Sequence, residues 1–461
     1  MAVKKVYTVT DLGPGDGGKG GVVHKITTMT RAHTVVKVGG AQGSHGVCTS
    51  RGERFAFSQW GCGTFEGVRT YLSPRMVASP VGLLNEASAL RYEHGIHDPF
   101  SMLTVDRDVL CATPYHGIAS RLKEMARGKN PRGTIGTGVG EAYRYSERHP
   151  GLTIRVRDLS RLDIRDRLVA IREQVRRDTT SMIPEFLPHD LHQVKLEVGR
   201  LYDDDFLSYC AEQFKEVSRQ ATIVDREYLE REILSRDGVV VVESSHGVLT
   251  DRYRGFHPHT SAIRTLPRFA KAMLREAGYG EETVSIGVFR AYAIRHGAGP
   301  LPTADAAMAE SLLPGSHKEE NRYQGKVRVG PLDLVLLRYA IEACGGSEAF
   351  NGLAVTWFDQ IMANKRWDLC DRYANAENPE YFTEKGALNV KGGEDEEHLE
   401  YQERLGKQVL ASKPIVTTLE IPSEAGRDEL YSLCANVLNG ALGVPVRMVS
   451  FGPTEQDKVC R

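Results

Sequence analysis

The chain lacks the marks of a membrane or secreted protein. No apolar run approaches the roughly 20 residues that a membrane-spanning helix needs, and the first residues pass directly into a β-branched run, so neither a span nor a leader peptide is expected. The eight cysteines are scattered from Cys48 to Cys460 without a C-x-x-C pair. That pattern argues against a zinc site or a disulfide framework and points to reduced thiols in a cytoplasmic setting. Charge of one sign is also missing: 59 basic against 60 acidic side chains leave a net charge of −1, so no overall field favours nucleic acid or a membrane surface. There is no internal repeat, no low-complexity tract and no visible linker.

What is present is an ordinary globular composition, 41% hydrophobic and 26% charged, over 461 residues. Six short β-branched runs each end in small or polar residues. Val6–Thr10 leads to Gly13–Gly21, and Thr34–Val38 to Gly39–Gly46. Val239–Val242 leads to Glu243–Gly247, and Val284–Tyr292 to Arg295–Pro300. Leu353–Thr356 leads to Trp357–Asp359, and Val446–Val449 to Ser450–Pro453. Continuous apolar runs of this kind predict buried parallel strands. Ligands of open α/β sheets bind beyond the carboxyl ends of such strands, so six chemically unusual strand ends predict one convergent site. Between them, Ile164, Leu168, Ile171 and Val175 recur at helical spacing. Leu332–Cys344 and Glu424–Leu442 also read as helices, and the acidic stretch Gly392–Glu400 as an exposed loop. The fold class expected is α/β, with a large, mostly parallel central sheet flanked by helices.

The most informative stretch is Val6–His24, where a strand, a glycine turn and a helix start follow one another. That order points backbone N–H groups at a phosphate. Gly13-x-x-x-x-Gly18-Lys19 follows the phosphate-loop pattern up to its last letter, where Gly20 replaces the Ser or Thr that would hold Mg²⁺. Asp16 offers an alternative oxygen ligand or a base. The same letters contain the dinucleotide pattern Gly13-x-Gly15-x-x-Gly18, but the acid wanted about 20 residues on is missing among Val36, Lys37 and Val38. A plain glycine-rich turn is the third reading. His45 sits in a second glycine-rich turn, His246 follows two serines at a strand end, and Pro131–Tyr145 offers another run of small residues with Arg144 and Arg148 beyond it. Arg322–Arg328 places three cations around a glycine, either as a solvated loop or as a clamp on a carboxylate or phosphate.

In this order the stretches resemble the adenylosuccinate synthetase family. The family's G-D-E-G-K-G is similar to Gly15–Gly20, its G-G-x-N-A-G-H-T to Gly39–Gly46, its T-T-x-R-G-I-G-P-A-Y to Thr134–Tyr143, and its E-G-A-Q-G-x-x-x-D to Glu243–Asp251. G-A-G-P-x-P-T is intact at Gly297–Thr303, as are Gly443–Val446 and Ser450–Pro453. The resemblance implies one domain over 1–461, with inserted helical subregions at about 75–235 and 362–405.

The resemblance implies a ligase that joins L-aspartate to the 6-position of a purine nucleoside monophosphate at the expense of a nucleoside triphosphate, through a 6-phosphoryl intermediate. Its catalytic residues would be Asp16, Lys19 and His45. Gly15, Gly17, Gly18, Lys19, Gly20, Trp357, Asp359, Ser450, Gly452 and Pro453 would bind the triphosphate. Asp16, Gln42, Thr134, Arg148, His246 and Ser261 would bind the purine monophosphate, although strict alignment puts the family's partner-reaching arginine at His149. Lys326 and Arg328 would grip aspartate, and Asp16 with the Ser44 carbonyl would hold Mg²⁺. A homodimer is implied, with neither nucleic acid nor membrane as partner.

Departures fall on substrate-reading positions. The family's T-K-x-D is Thr356-Trp357-Phe358-Asp359 here, its purine-loop arginine is Thr137, its glutamine is His246, and Lys326 stands for an arginine. IMP with GTP is the family default. GMP or dGMP with ATP or dATP, the chemistry of a viral branch that makes 2-aminoadenine nucleotides, is the alternative, although retention of Asp16 counts against that branch. From other classes, an inactive nucleotide-binding regulator and an oxidoreductase remain.

Overall fold

The computed structural model describes residues 4–182, 191–313 and 325–461. Its centre is an eleven-stranded sheet. Along the sheet the strands run Lys458–Cys460, Val446–Ser450, Gly352–Thr356, Val284–Arg290, Lys4–Asp11 (β1), Gly238–Gly247, Thr34–Gly40 (β2), Arg69–Ala78, Leu103–Asp106 and Thr222–Val224, with Leu110–Cys111 also pairing with Arg69–Ala78. Every pairing is parallel except that of Val446–Ser450 with Lys458–Cys460. All six predicted runs are strands of this sheet, and the parallel pairing brings their carboxyl ends to one edge.

Burial on both faces explains the continuous apolar runs. On Gly238–Gly247, Val240 and Val242 pack with the helix Pro267–Glu276, while Val241 faces the opposite cluster. That larger cluster holds the predicted amphipathic helix, Ile164–Thr180, whose Ile164, Leu168, Ile171 and Val175 are all fully buried. Each contributes roughly 1.5–3 kcal/mol of transfer free energy.

The span from 75 to 235 is rich in helices, yet it also returns three strands to the sheet, Leu103–Asp106, Leu110–Cys111 and Thr222–Val224. The predicted helix at Leu332 starts two residues later, at Leu334, because Leu332–Asp333 pairs with Leu369 and Cys370 and the Asp333 carboxylate accepts the Leu336 N–H as an N-cap. The acidic stretch Gly392–Glu400 is not wholly a loop. Asp395 caps a helix, Glu396–Leu410, by accepting the His398 N–H, and Glu396 and Glu397 lie in its first turn, where the helix dipole favours acids. No helix is long and apolar enough to cross a membrane among the described residues.

Candidate functional site

The glycine turn between β1 and the helix Lys19–Thr30 (α1) is organised by Asp11, the last residue of β1. Its fully buried carboxylate accepts the N–H of Gly13 at 2.8 Å and of Gly17 at 2.6 Å, and pairs with the Lys19 ammonium at 3.1 Å. Lys19 also donates to the Gly15 carbonyl at 3.1 Å, so it braces the loop from inside. The strand Gly352–Thr356, one removed from β1 in the sheet, contributes Thr356, whose hydroxyl donates to the Gly17 carbonyl at 2.8 Å. Gly18 starts α1 with φ +83, and a Cβ at Gly20 would lie 2.4 Å from the Gly46 carbonyl oxygen. That close approach of α1 to the His45 turn excludes the Ser or Thr of the ordinary phosphate loop.

The His45 ring is set by sheet register. Lys37 on β2 lies opposite Glu243 on the neighbouring strand. Their side chains meet at 2.7 Å, and the same Glu243 oxygen lies 2.6 Å from His45 Nδ1, while its other oxygen accepts the Cys62 N–H at 2.9 Å. Burial alone would raise the Glu243 pKa, but Lys37 and His45 outweigh it and hold the carboxylate ionised. Burial pulls His45 down to about 4, against the raising effect of Glu243. His45, Cys62 and Glu243 place ligand atoms within 4.8 Å of one another. They form a hydrogen-bonded knot and not a metal centre, because Lys37 already neutralises the carboxylate and burial raises the Cys62 thiol pKa well above its ordinary value.

A cleft of about 780 Å³ opens over this edge of the sheet. Asp16, Gln42, Ser44, His45, Thr134, Arg148, His246 and Ser261 all line it, with Gly15. Gln42 Nε2 contacts His246 Nε2, and burial lowers the His246 pKa to about 3. Asp16 meets His296 at 3.4 Å through its carboxylate, and its backbone carbonyl accepts Arg290 Nε at 2.6 Å. The start of the helix Val139–Arg148, which begins after Gly138 with φ +85, also lines the cleft, with Arg132 and Arg144. Arg148 is exposed at the rim.

The remaining predicted residues lie elsewhere around α1. Trp357 and Asp359 follow Thr356, which touches the glycine turn; Ser450, Gly452 and Pro453 pass beside α1, where a Cβ at Gly21 would lie 4.0 Å from the Pro453 carbonyl oxygen. None of these five lines the cleft. Lys326 is exposed, and Arg322–Gln324 of the predicted cationic stretch lies outside the described residues. Arg328 is on a strand, Val327–Gly330, and donates to the carbonyls of Gly297 and Gly299 at 2.7 and 2.8 Å. Its register partner Arg295 is buried and donates to the Ala298 and His259 carbonyls, both at 3.1 Å. Sequence reasoning missed Asp11, Lys37, Arg290 and Arg295, and gave Glu243 no role.

A parallel α/β sheet with a phosphate-loop-like turn, two glycine-lined approaches and an arginine-rich wall defines a nucleotide-dependent enzyme. A sequence model of the adenylosuccinate synthetase family matches residues 9–459, and the chain belongs to that family. It is therefore a carbon–nitrogen ligase that joins aspartate to a purine nucleotide. The adenylosuccinate synthetase of Porphyromonas gingivalis is 26% identical over 466 residues, covering 100% of both chains. That of Halobacterium salinarum is 29% identical over 370 residues, covering 77% of this chain and 78% of its own. The fold matches the fully ligated adenylosuccinate synthetase of Plasmodium falciparum with a TM-score of 0.71 at 16% identity, over 99% of this chain and 100% of that one. It also matches the cyanophage S-2L succinoaminodeoxyadenylate synthetase bound to dGMP and dATP, with a TM-score of 0.56 at 16% identity, over 99% of this chain and 95% of that one.

Proposed function

We propose that the cleft binds a 6-oxopurine nucleoside monophosphate and that the glycine turn binds a nucleoside triphosphate, whose γ-phosphoryl group passes to the purine 6-oxygen before aspartate displaces it. The observation that carries this reading is that Asp16 and His45 line the same cleft, each in the turn beyond the carboxyl end of a different strand of the sheet. A purine carbonyl oxygen is a poor leaving group until it is phosphorylated, and the transfer needs positioning and charge neutralisation.

The chain's residues then have distinct tasks. Asp16 accepts the N1 proton of the purine, which leaves charge on the 6-oxygen for attack on the γ-phosphorus. Glu243 is acceptor-only when ionised, so the neutral His45 ring carries its proton on Nδ1 and leaves Nε2 bare. His45 can therefore donate to a phosphoryl oxygen only as the imidazolium, which the charge of an adjacent triphosphate stabilises. The Val139–Arg148 helix start, Arg132 and Arg144 suit the 5′-phosphate. Arg295 and Arg328 suit the carboxylates of aspartate, and the amine displaces phosphate from C6 with loss of a proton. The Asp16 carboxylate and the Ser44 carbonyl are hard oxygen donors and fit Mg²⁺, which would neutralise charge on the triphosphate. Exposed Arg148 suits contact with a second copy in a homodimer.

Trp357 supports a second choice of substrates, GMP or dGMP with ATP or dATP. It replaces the lysine of the family's donor-base motif, and the cyanophage enzyme, which shares this fold, is bound to dGMP and dATP. The test is phosphate release with L-aspartate, crossing IMP, GMP and dGMP with GTP, ATP and dATP. Aspartate-dependent release with at least one pair is expected, and Asp16→Asn and His45→Ala should each lose about 10³-fold or more. Near-normal rates in either variant would overturn the mechanism.

A further inference from the structure

Arg290 ends the strand Val284–Arg290 and is only 4% exposed. Its guanidinium is held on three sides. Nε donates to the Asp16 carbonyl at 2.6 Å, a terminal nitrogen donates to the Tyr292 hydroxyl at 2.7 Å, and the guanidinium carbon lies 4.2 Å from the centre of the Trp357 ring. No acid forms an ion pair with it among the described residues. A ring face, a hydroxyl and a carbonyl together compensate a buried cation that lacks a counter-ion.

Its neighbour in register is Thr356, which grips the next carbonyl of the turn, that of Gly17. Two consecutive carbonyls of the glycine turn are thus tied to the ends of two adjacent strands, and Trp357 follows directly. Trp357 has φ +60. Among the described residues four non-glycine positions have such backbone; Arg31 and Lys365 merely end helices, while His246 and Trp357 stand at strand ends. Holding a non-glycine residue there costs about 1–3 kcal/mol and is found where the surroundings over-determine it.

We propose that Arg290 is a positioning residue that couples the donor base, at Trp357, to the placement of Asp16. The inference rests on the ligase reading, in which Trp357 meets the base of the triphosphate and Asp16 meets the acceptor purine. Arg290 occupies one face of the indole. A base that fixes the indole fixes the guanidinium, and the guanidinium fixes the Asp16 peptide. Donor identity then alters kcat as well as the donor KM.

The experiment compares Arg290→Met, Arg290→Lys, Trp357→Leu and the double variant Arg290→Met/Trp357→Leu. For each, kcat and KM are measured with ATP and GTP, and Kd for the β,γ-imido analogues of both is read from tryptophan fluorescence. Trp60 and Trp367 are fully buried, so Trp357 is the reporter in proteins that retain it, and calorimetry serves for the others. Arg290→Met should lower kcat about 10- to 100-fold at saturation, with partial recovery in Arg290→Lys. Trp357→Leu should change the ratio of ATP to GTP turnover, and the double variant should lose less than the product of the two single losses. A kcat within twofold of the parent in Arg290→Met, or effects that simply multiply, would overturn the coupling. If Arg290→Met does not fold, Arg290→Lys decides by the same criterion. If the parent binds the imido nucleotides but releases no phosphate with any acceptor, the ligase reading fails. The link from Trp357 to Arg290 is then judged by the imido-nucleotide Kd alone, and an unchanged value in both Arg290 variants overturns it.

Discussion

Lys37 and Arg295 are cations of nearly equal burial in one site, at 2% and 3% exposure, with opposite surroundings. Lys37 meets Glu243 at 2.7 Å, and the same carboxylate turns to His45 and to the Cys62 N–H. Among the described residues Arg295 donates only to backbone carbonyls, and it stands beside a second guanidinium, Arg328, across the strand pair. Burial and then Arg328 both press the Arg295 pKa well below the usual guanidinium range, yet it remains cationic at neutral pH. A buried pair that completes its own hydrogen bonds shapes a third group, here the His45 ring. A buried and a half-buried guanidinium side by side, with no acid against them among the described residues, suit completion by an anion from outside, and a dicarboxylate such as aspartate matches them.

The largest expected effect lies on the completed side. Glu243→Gln leaves Lys37 buried without its counter-charge, which costs about 3–5 kcal/mol, and frees the His45 ring. Urea unfolding should report that loss, and kcat should fall about 10³-fold in the protein that still folds. A Glu243→Gln enzyme with normal stability and turnover would erase the distinction between the two regions.

On the open side the expected pattern is reversed, with function lost and stability nearly kept. If Arg328 binds aspartate as proposed, Arg328→Met removes charge-assisted contacts to a carboxylate, worth about 1.5–3 kcal/mol, so KM for aspartate should rise about 10- to 100-fold. Stability should fall by less than about 1 kcal/mol, because relief of the repulsion from Arg295 offsets the lost carbonyl hydrogen bonds. An unchanged aspartate KM with a large loss of stability would make the pair structural.

The same contrast explains what was legible in the sequence. The strands are continuous β-branched runs, and the cleft residues Asp16, Gln42, His45 and His246 lie at their ends, so local pattern sufficed. Glu243 and Lys37 are 206 residues apart in the chain and meet only through sheet register. A signal was nevertheless present, since Lys37 is a single charge inside an otherwise apolar run, Glu243 is a single charge at the end of another, and the two are of opposite sign. Arg295 and Arg290 gave no such signal, because an arginine at a strand end reads as solvated until the carbonyls around it are known. Lys19 illustrates the converse. Its place in the phosphate-loop pattern points it at a ligand, while Asp11, eight residues earlier, holds its ammonium inside the turn.

A third answer to buried charge, staying neutral, provides the control for both regions. His116 is 3% exposed in the first turn of the helix Pro114–Ala126, where Nδ1 accepts the Thr113 N–H at 3.1 Å and completes a capping box. Burial lowers its pKa from 6.5 to about 4. The unfolded chain takes up this proton near pH 6.5 and the folded chain only near pH 4, so the stability present above pH 6.5 is lost progressively as pH falls towards 4. Glutamine at this position can complete the same capping box without titrating. Between pH 6.5 and 5.5 the parent should therefore lose about 1 kcal/mol more than His116→Gln in urea unfolding. Parallel pH profiles for the two proteins would mean that the fold tolerates a buried cation at His116 too, without either the acid that meets Lys37 or the carbonyls that meet Arg295.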